Sequence, residues 1–445
     1  MDPNLPKRLG DESITTTRET GAVTFFETAP LSITSDMRRL LLIILIVTLC
    51  QSIVSAQENQ PRQVYGYHYL DHTPLEVEIR GELIHSVRRL TSVPDGFPEL
   101  YIAPGFIDNQ VNGYAGISFA FGGSDLSAEG VATATRALWR EGVTTYLPTL
   151  TTNAREILLK NFSVLTEAMK DPLLLGSIPG FHLEGPFISP EDGFRGAHPL
   201  QHVRLPDVAE FNAYQEAAGG KILQLTLAPE MEGAMQLIDY CSSTGVIIAL
   251  GHHNASGAVI TEAIDRGARI ATHLGNGAAN TINRHRNPFW PQLADDRLMI
   301  SLIADGFHLL PEQIKVFYKV KGNAGTILTS DVTAFAGLPP GQFVTSEGVT
   351  IELTPEGMLR YPEQNVLYGS ASPITKGVGH IMRVTGCSLA DAVQMASTNP
   401  ALLYGLTDRG VLQPGKRADL VRFSLRGHTL MIEETIVAGQ SVYSR

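Results

Sequence analysis

Residues 222–273 read ILQLTLAPEMEGAMQLIDYCSSTGVIIALGHHNASGAVITEAIDRGARIATH. Three short apolar runs stand out in this stretch: Ile222–Leu227, Val246–Leu250 and Ala268–His273. Two segments with helical spacing, Gly233–Thr244 and Ser256–Arg266, separate them. Runs this short and this apolar read as buried strands, and a helix between successive strands is the crossover that parallel pairing requires. Two of the runs lead into imidazoles, at Gly251-His252-His253-Asn254 and at Thr272-His273.

The same alternation extends in both directions. Upstream lie Tyr101–Ile107, Thr144–Leu147 and Ile178–Leu183, and downstream lie Met299–Ala304 and Thr326–Thr329. Helical stretches Leu126–Glu141, Ala154–Met169, Val208–Ala218 and Pro311–Lys321 fall between them. Eight strand-like runs with helical crossovers predict an α/β fold, a closed (β/α)8 barrel spanning 104–407. An open doubly wound sheet is the competing architecture and would usually need fewer strands.

The ends of the chain have a different pattern. Val64–Leu70, Leu75–Arg80 and Leu83–Arg88 at one end, and Ala418–Phe423, Thr429–Glu434 and Ile436–Val442 at the other, are too short and too closely spaced for crossover units. They predict a small β-sandwich built from 57–103 and 408–445. Between barrel and tail, Gly337–Pro362 reads as an insertion with a hairpin, followed by helices Ile374–Thr385 and Leu389–Ser397.

The 445 residues carry 34 Lys and Arg against 45 Asp and Glu, a formal charge of −11, with no basic run. That balance gives no electrostatic reason to expect nucleic acid as a partner. The cysteines, Cys50, Cys241 and Cys387, lack the spacing of a thiolate metal site or a disulfide framework. Residues 1–36 are polar and unpatterned and read as disordered or as an upstream extension. Met37-Arg38-Arg39, the apolar run Leu40–Leu49 and Val54-Ser55-Ala56 together have the parts of a secretory signal peptide. A start at Met37 with cleavage after Ala56 predicts an exported or periplasmic protein with no stable membrane span. If the signal is not used, a cytoplasmic location or a membrane anchor is the alternative.

The reactive side chains fall at the carboxyl ends of the expected strands, where barrel enzymes build their sites. They are Glu184 in His182-Leu183-Glu184-Gly185-Pro186, His252, His273, His308 in Ala304-Asp305-Gly306-Phe307-His308, and Asp331 in Thr329-Ser330-Asp331. A lone His at a strand end is more often a satisfied polar group than a ligand, but five strand ends carrying such groups argue for convergence. One carboxylate and two imidazoles, Glu184, His252 and His273, can hold one divalent metal ion and leave a position for water. Zinc is the favoured ion, with iron or another divalent ion as alternatives. A metal held there would lower the pKa of its water towards ~7. Asp331 could then take the water's proton and return it to a departing nitrogen. His198, in Gly196-Ala197-His198, could hydrogen-bond a carbonyl oxygen as charge develops on it. The blander roles are a metal-ligand orienter for Asp331 and a surface loop residue for His198.

With these motifs in order, the sequence resembles the N-acetylglucosamine-6-phosphate deacetylase family of the amidohydrolase superfamily. The resemblance runs from about Ala103 to Val442. It rests on Pro104-Gly105-Phe106-Ile107-Asp108 with Gln110 and Asn112-Gly113, and on Leu147-Pro148-Thr149, the strand-end motifs above, Leu227-Ala228-Pro229-Glu230 and Gly410-Val411-Leu412-Gln413-Pro414-Gly415. It implies a hydrolase removing the acetyl group from N-acetylglucosamine 6-phosphate or a close N-acetyl amino sugar. It further implies metal at Glu184, His252 and His273, acid/base work by Asp331, and carbonyl contact by His198. Asn276, Gly277, Arg284 and His308 match sugar- and phosphate-binding positions, with Arg286 the alternative guanidinium. Gln110 and Asn112 stand where much of the superfamily has a second-metal His-x-His pair. Neutral amides are poor zinc ligands beside imidazole, so a single metal is expected. A homodimer is the assembly the resemblance suggests.

Two other readings differ in class. One keeps the metal hydrolase but changes its substrate to another amide or a cyclic imide. The other is a catalytically inactive barrel acting as a binding protein, which the presence of Glu184, His252, His273 and Asp331 together disfavours.

Overall fold

The computed structural model describes residues 61–445 apart from 122–124, 346–347 and 364–365. The expected signal segment, 37–56, and the cleavage point after Ala56 lie outside the described residues.

Eight parallel strands follow one another around a barrel: Phe106–Val111, Val143–Thr151, Phe181–Glu184, Ile222–Leu227, Ile247–Leu250, Ala268–Ala271, Met299–Ile303 and Thr326–Thr329. Their residues are almost all buried because helices cover the outside and side chains fill the inside. The crossover helices begin where the sequence offers caps. Ser127 accepts from Gly130 N, Asp207 from Glu210 N at 2.6 Å, and Ser256 from Val259 N. The barrel closes beyond the last regular pairing. Val111 bridges in parallel to Val332, and Ser330 N donates to Asp108 Oδ1 at 3.1 Å. A buried carboxylate on the first strand therefore joins it to the end of the eighth.

The run Tyr101–Ile107, expected as the first barrel strand, divides at Gly105. Tyr101–Pro104 pairs antiparallel with Leu420–Arg426 and parallel with Arg62–His68, and only Phe106 onward enters the barrel. Both chain ends thus meet in one hydrogen-bonded series of seven strands, the small β-domain expected from 57–103 and 408–445. Its strands run in the order Gln440–Ser444, Thr429–Val437, Leu420–Arg426, Tyr101–Pro104, Arg62–His68, Pro74–Arg80, Leu83–Arg89. Arg409 ties this sheet's approach to the barrel floor, donating to Thr145 Oγ1 at 3.0 Å and Gly176 O at 3.1 Å. The insertion holds the expected hairpin, Gly341–Val344 with Thr350–Leu353, extended by Leu359–Tyr361 and Val366–Leu367 into a four-stranded antiparallel sheet. The crossover after the sixth strand contains a short helix, Phe289–Ala294, that the sequence reading did not separate from its loop.

Gly105 is a corner that admits no side chain: a Cβ would lie 2.2 Å from both Cγ2 and Oγ1 of Thr144. We expect Gly105→Ala to lower unfolding stability by about 1–3 kcal/mol through forced displacement of strand two. Denaturant unfolding of the full chain measures this, and an unchanged midpoint would show that the corner can relax.

Candidate metal centre and catalytic cleft

Four reactive side chains reach the barrel mouth by a shared device. Glu184 is the last residue of the third strand. His252, His273 and Asp331 each sit two residues beyond their strand, after Leu250, Ala271 and Thr329. All three have left-handed backbone, with φ of 55°, 31° and 51°. Such conformations cost a non-glycine residue roughly 1–3 kcal/mol and persist only where the surroundings enforce them. At His273 the enforcement is visible, because its N–H donates to Ser301 Oγ at 2.7 Å.

The result is a tight polar cluster. His273 Nε2 lies 2.9 Å from Glu184 Oε1, His252 Nε2 lies 3.3 Å from the same oxygen, and the two imidazole nitrogens are 3.2 Å apart. The three potential ligand atoms fall within 4.8 Å of one another, and all three residues are buried. Among the described residues this is the one such group of His, Cys, Asp and Glu. The donor set fits a divalent cation. Phe194 O lies 3.1 Å from His252 Nδ1, and a carbonyl can only accept, so Nδ1 carries the proton. In the neutral ring that leaves the lone pair on Nε2, beside Glu184.

Electrostatics follow from burial and proximity. Burial opposes ionisation of Glu184, but His252 and His273 outweigh it and hold the carboxyl well below its usual range. Burial pushes His198 down to about 3, helped by His252, so this imidazole is neutral at pH 7. Asp331 is pushed up to about 6, first by burial and then by the Glu184 charge.

The structure brings most of the residues singled out from the sequence to one cleft of about 710 Å3. Asn112, Glu184, His198, His252, His273, Asn276, Gly277, His308 and Asp331 all line it. His198 is held by Thr152, whose Oγ1 is 2.8 Å from Nδ1, and His198 Nε2 is 4.0 Å from Glu184 Oε2. His308 Nδ1 lies 2.8 Å from Asp305 Oδ2. Gln110 and Asn112 do not form a metal pair. Gln110 Nε2 donates to Glu184 Oε1 at 2.9 Å, and Asn112 Nδ2 donates to Asp331 Oδ1 at 2.6 Å. Arg284 and Arg286 are exposed and are not among the residues lining the cleft. Sequence reasoning missed Thr152 as the support of His198, and it missed Leu367, Tyr368 and Gly369, which the insertion contributes to the cleft wall. Thr152 directly follows the strand-two motif, but nothing in its spacing marks it as a partner of a residue 46 positions later.

A model of the amidohydrolase family matches residues 101–442. N-acetylglucosamine-6-phosphate deacetylase of Bos taurus is 34% identical over 353 residues, covering 77% of this chain and 83% of the relative. Its namesake in Bacillus subtilis is 32% identical over 325 residues, covering 72% and 80%. Among solved structures, the N-acetyl-D-glucosamine-6-phosphate deacetylase of Mycobacterium smegmatis has a TM-score of 0.76 at 28% identity, covering 85% of this chain and 98% of that one. An enamidase at 13% identity and a TM-score of 0.52 shares the fold alone.

Gly277 packs against the back of the His252 ring. A Cβ there would lie 2.8 Å from Nδ1, and the glycine's φ is +57°. We expect Gly277→Ala to push the imidazole out of place and to weaken divalent-metal affinity by roughly 10- to 100-fold. Competition against a chelating indicator reads this directly, and unchanged affinity would mean that the ring is positioned from elsewhere.

Proposed function

The chain belongs to the amidohydrolase family, on its N-acetylglucosamine-6-phosphate deacetylase branch, and from that premise we propose that it hydrolyses the acetamide of N-acetylglucosamine 6-phosphate. The observation that carries this reading is the convergence of Glu184, His252 and His273 within 4.8 Å, with Asp331 lining the same cleft.

Hydrolysis exchanges the C–N bond of the acetamide for a C–O bond to water, releasing acetate and the free amine. A divalent cation bound by Glu184, His252 and His273 would supply Lewis acidity and bring the pKa of water towards ~7. The remaining steps fall to the chain's own side chains. Asn112 fixes one carboxylate oxygen of Asp331, orienting the group that accepts a proton from the attacking water. The same carboxyl returns that proton to the amine nitrogen, which cannot leave as an anion. His198 is neutral, and in the tautomer whose Nδ1 accepts from Thr152 Oγ1, one of the two senses this contact allows, the ring proton resides on Nε2. There it can donate to the amide oxygen as negative charge accumulates. Asn276, Gly277 and His308 line the part of the cleft available to the sugar and its phosphate. Zinc is the proposed ion, since it suits a mixed carboxylate–imidazole set and leaves coordination open.

We expect Asp331→Asn to keep stoichiometric metal while lowering kcat by about 10²- to 10⁴-fold, and His273→Ala to lose the metal. In the unaltered protein kcat/KM should fall as the pH drops below about 6, because a protonated Asp331 cannot accept a proton. A bound cation can only move that limb lower. Near-normal turnover by Asp331→Asn would remove Asp331 from the acid/base role.

No Lys or Arg occurs among the described residues lining the cleft, which favours one variant reading: an unphosphorylated N-acetyl amino sugar as substrate. Acetate release from N-acetylglucosamine 6-phosphate and from N-acetylglucosamine decides between them. We expect kcat/KM to favour the phosphorylated sugar by about tenfold or more, equivalent to about 1.4 kcal/mol of transition-state binding. Equal or reversed preference would overturn the phosphate assignment.

A further inference from the structure

Behind the loop that carries His308, helix Ile374–Thr385 meets the turn between strands Leu420–Arg426 and Thr429–Val437 of the end sheet. The two approach closely because residue 379 is glycine: a Cβ there would lie 2.0 Å from His428 O. Beside this contact is a pocket of about 500 Å3 whose ionisable lining is entirely basic: Lys376, His380, Arg383 and His428. It shares no lining residue with the catalytic cleft.

The polar groups of this pocket are incompletely satisfied. Lys376 Nζ donates to Glu356 O at 2.9 Å and to Ser372 Oγ at 3.1 Å, and it stands 4.0 Å above the Phe307 ring centroid. Arg383 Nη2 donates to His380 Nδ1 at 2.7 Å. No carboxylate of the described residues forms an ion pair with either cation, in a chain whose formal charge is −11. His380 is 8% exposed, and burial, with Arg383 next, favours its neutral form. Because Nδ1 accepts from Arg383, the ring proton lies on Nε2, and that buried donor has no partner among the described residues. An unmet buried donor costs about 1–3 kcal/mol, and an unpaired guanidinium beside an ammonium is a standing attraction for anions.

We propose that this pocket is a second anion site, separate from the catalytic cleft, that takes a small phosphomonoester. An ammonium and a guanidinium together match a dianion better than a single carboxylate, and the guanidinium fork suits phosphate oxygens. The volume is in the range of small-molecule sites. The pocket also backs onto the substrate loop. A Cβ on Gly306 would meet His380 Cε1 at 2.9 Å, and Phe307 lies directly beneath Lys376.

Calorimetric titration of the full-length, metal-loaded protein tests this, with inorganic phosphate and methyl phosphate as probes and acetate as the carboxylate control. Arg383→Glu reverses a charge and His428→Glu introduces a negative one, both at exposed positions, and thermal melts report whether each variant is folded. We expect either substitution to weaken phosphate and methyl phosphate binding by about tenfold or more, while acetate binds more weakly than both. Isotherms unchanged by both substitutions would overturn the proposal, as would the absence of binding up to roughly 10 mM phosphate or equal binding of acetate. If Arg383→Glu fails to fold, His428→Glu on the exposed turn reads the same outcomes. None of these measurements depends on the identity of the substrate hydrolysed in the cleft.

Discussion

Glu184 Oε1 is approached at once by His273 Nε2 and Gln110 Nε2, both at 2.9 Å, and by His252 Nε2 at 3.3 Å. These groups come from strands three, six, one and five, so no two of them can be positioned by local sequence. Burying an ionised carboxylate costs several kcal/mol unless it is paired and hydrogen-bonded, and removing a partner leaves that cost uncompensated. The barrel is what makes this concentration of polar atoms tolerable. It fixes four strand ends around one point, and a bound cation would neutralise the charge gathered there.

The interior beneath the cluster is arranged to keep it in place. His182, one turn of the pleat below Glu184, contacts Thr226 Oγ1 at 2.7 Å and Thr149 Oγ1 at 3.3 Å, and Thr226 contacts Thr272 Oγ1 at 2.8 Å. Burial keeps His182 neutral, with its pKa pushed down to about 4, so this ladder joins strands two, three, four and six without adding charge. Asp108 plays the corresponding part between strands one and eight. It accepts from Ser330 N and Thr329 Oγ1, immediately before the turn that aims Asp331. Complete burial raises Asp108 to about 6 against the pull of these hydrogen bonds, which favour the ionised carboxylate, so the joint is strongest above that pH and loosens as Asp108 takes up a proton. The left-handed backbone at His252, His273 and Asp331 is affordable because networks of this kind over-determine the strand ends.

The elements added to the barrel shape the cleft and its surroundings more than the chemistry. The insertion contributes Leu367, Tyr368 and Gly369 to the cleft lining, and the Gly196–His198 loop contributes to it as well. The end sheet, though distant in sequence from the mouth, reaches helix Ile374–Thr385 at Gly379. Through Lys376 and His380 that helix supports Gly306-Phe307, the segment leading to His308. A region that reads as accessory packing therefore bears on the geometry of a cleft residue.

The sequence by itself determined the eight-strand alternation, the pairing of the chain ends, and the strand-end positions of Glu184, His252, His273 and Asp331. It could do so because burial on both faces and hydrophobic period are local properties, written within each segment. It placed His198 and His308 near the site through their strand-end and loop positions and Asn276 through motif resemblance, and the structure puts all three on the cleft. Only the tertiary structure decided that Tyr101–Pro104 leaves the barrel, since the corner depends on Gly105 lying against Thr144. Only it showed that Gln110 and Asn112 serve Glu184 and Asp331 by hydrogen bonds, that Thr152 holds His198, and that Arg284 stands in the open. Those facts are distances between residues far apart along the chain, fixed by barrel closure and strand register, and no local pattern encodes them.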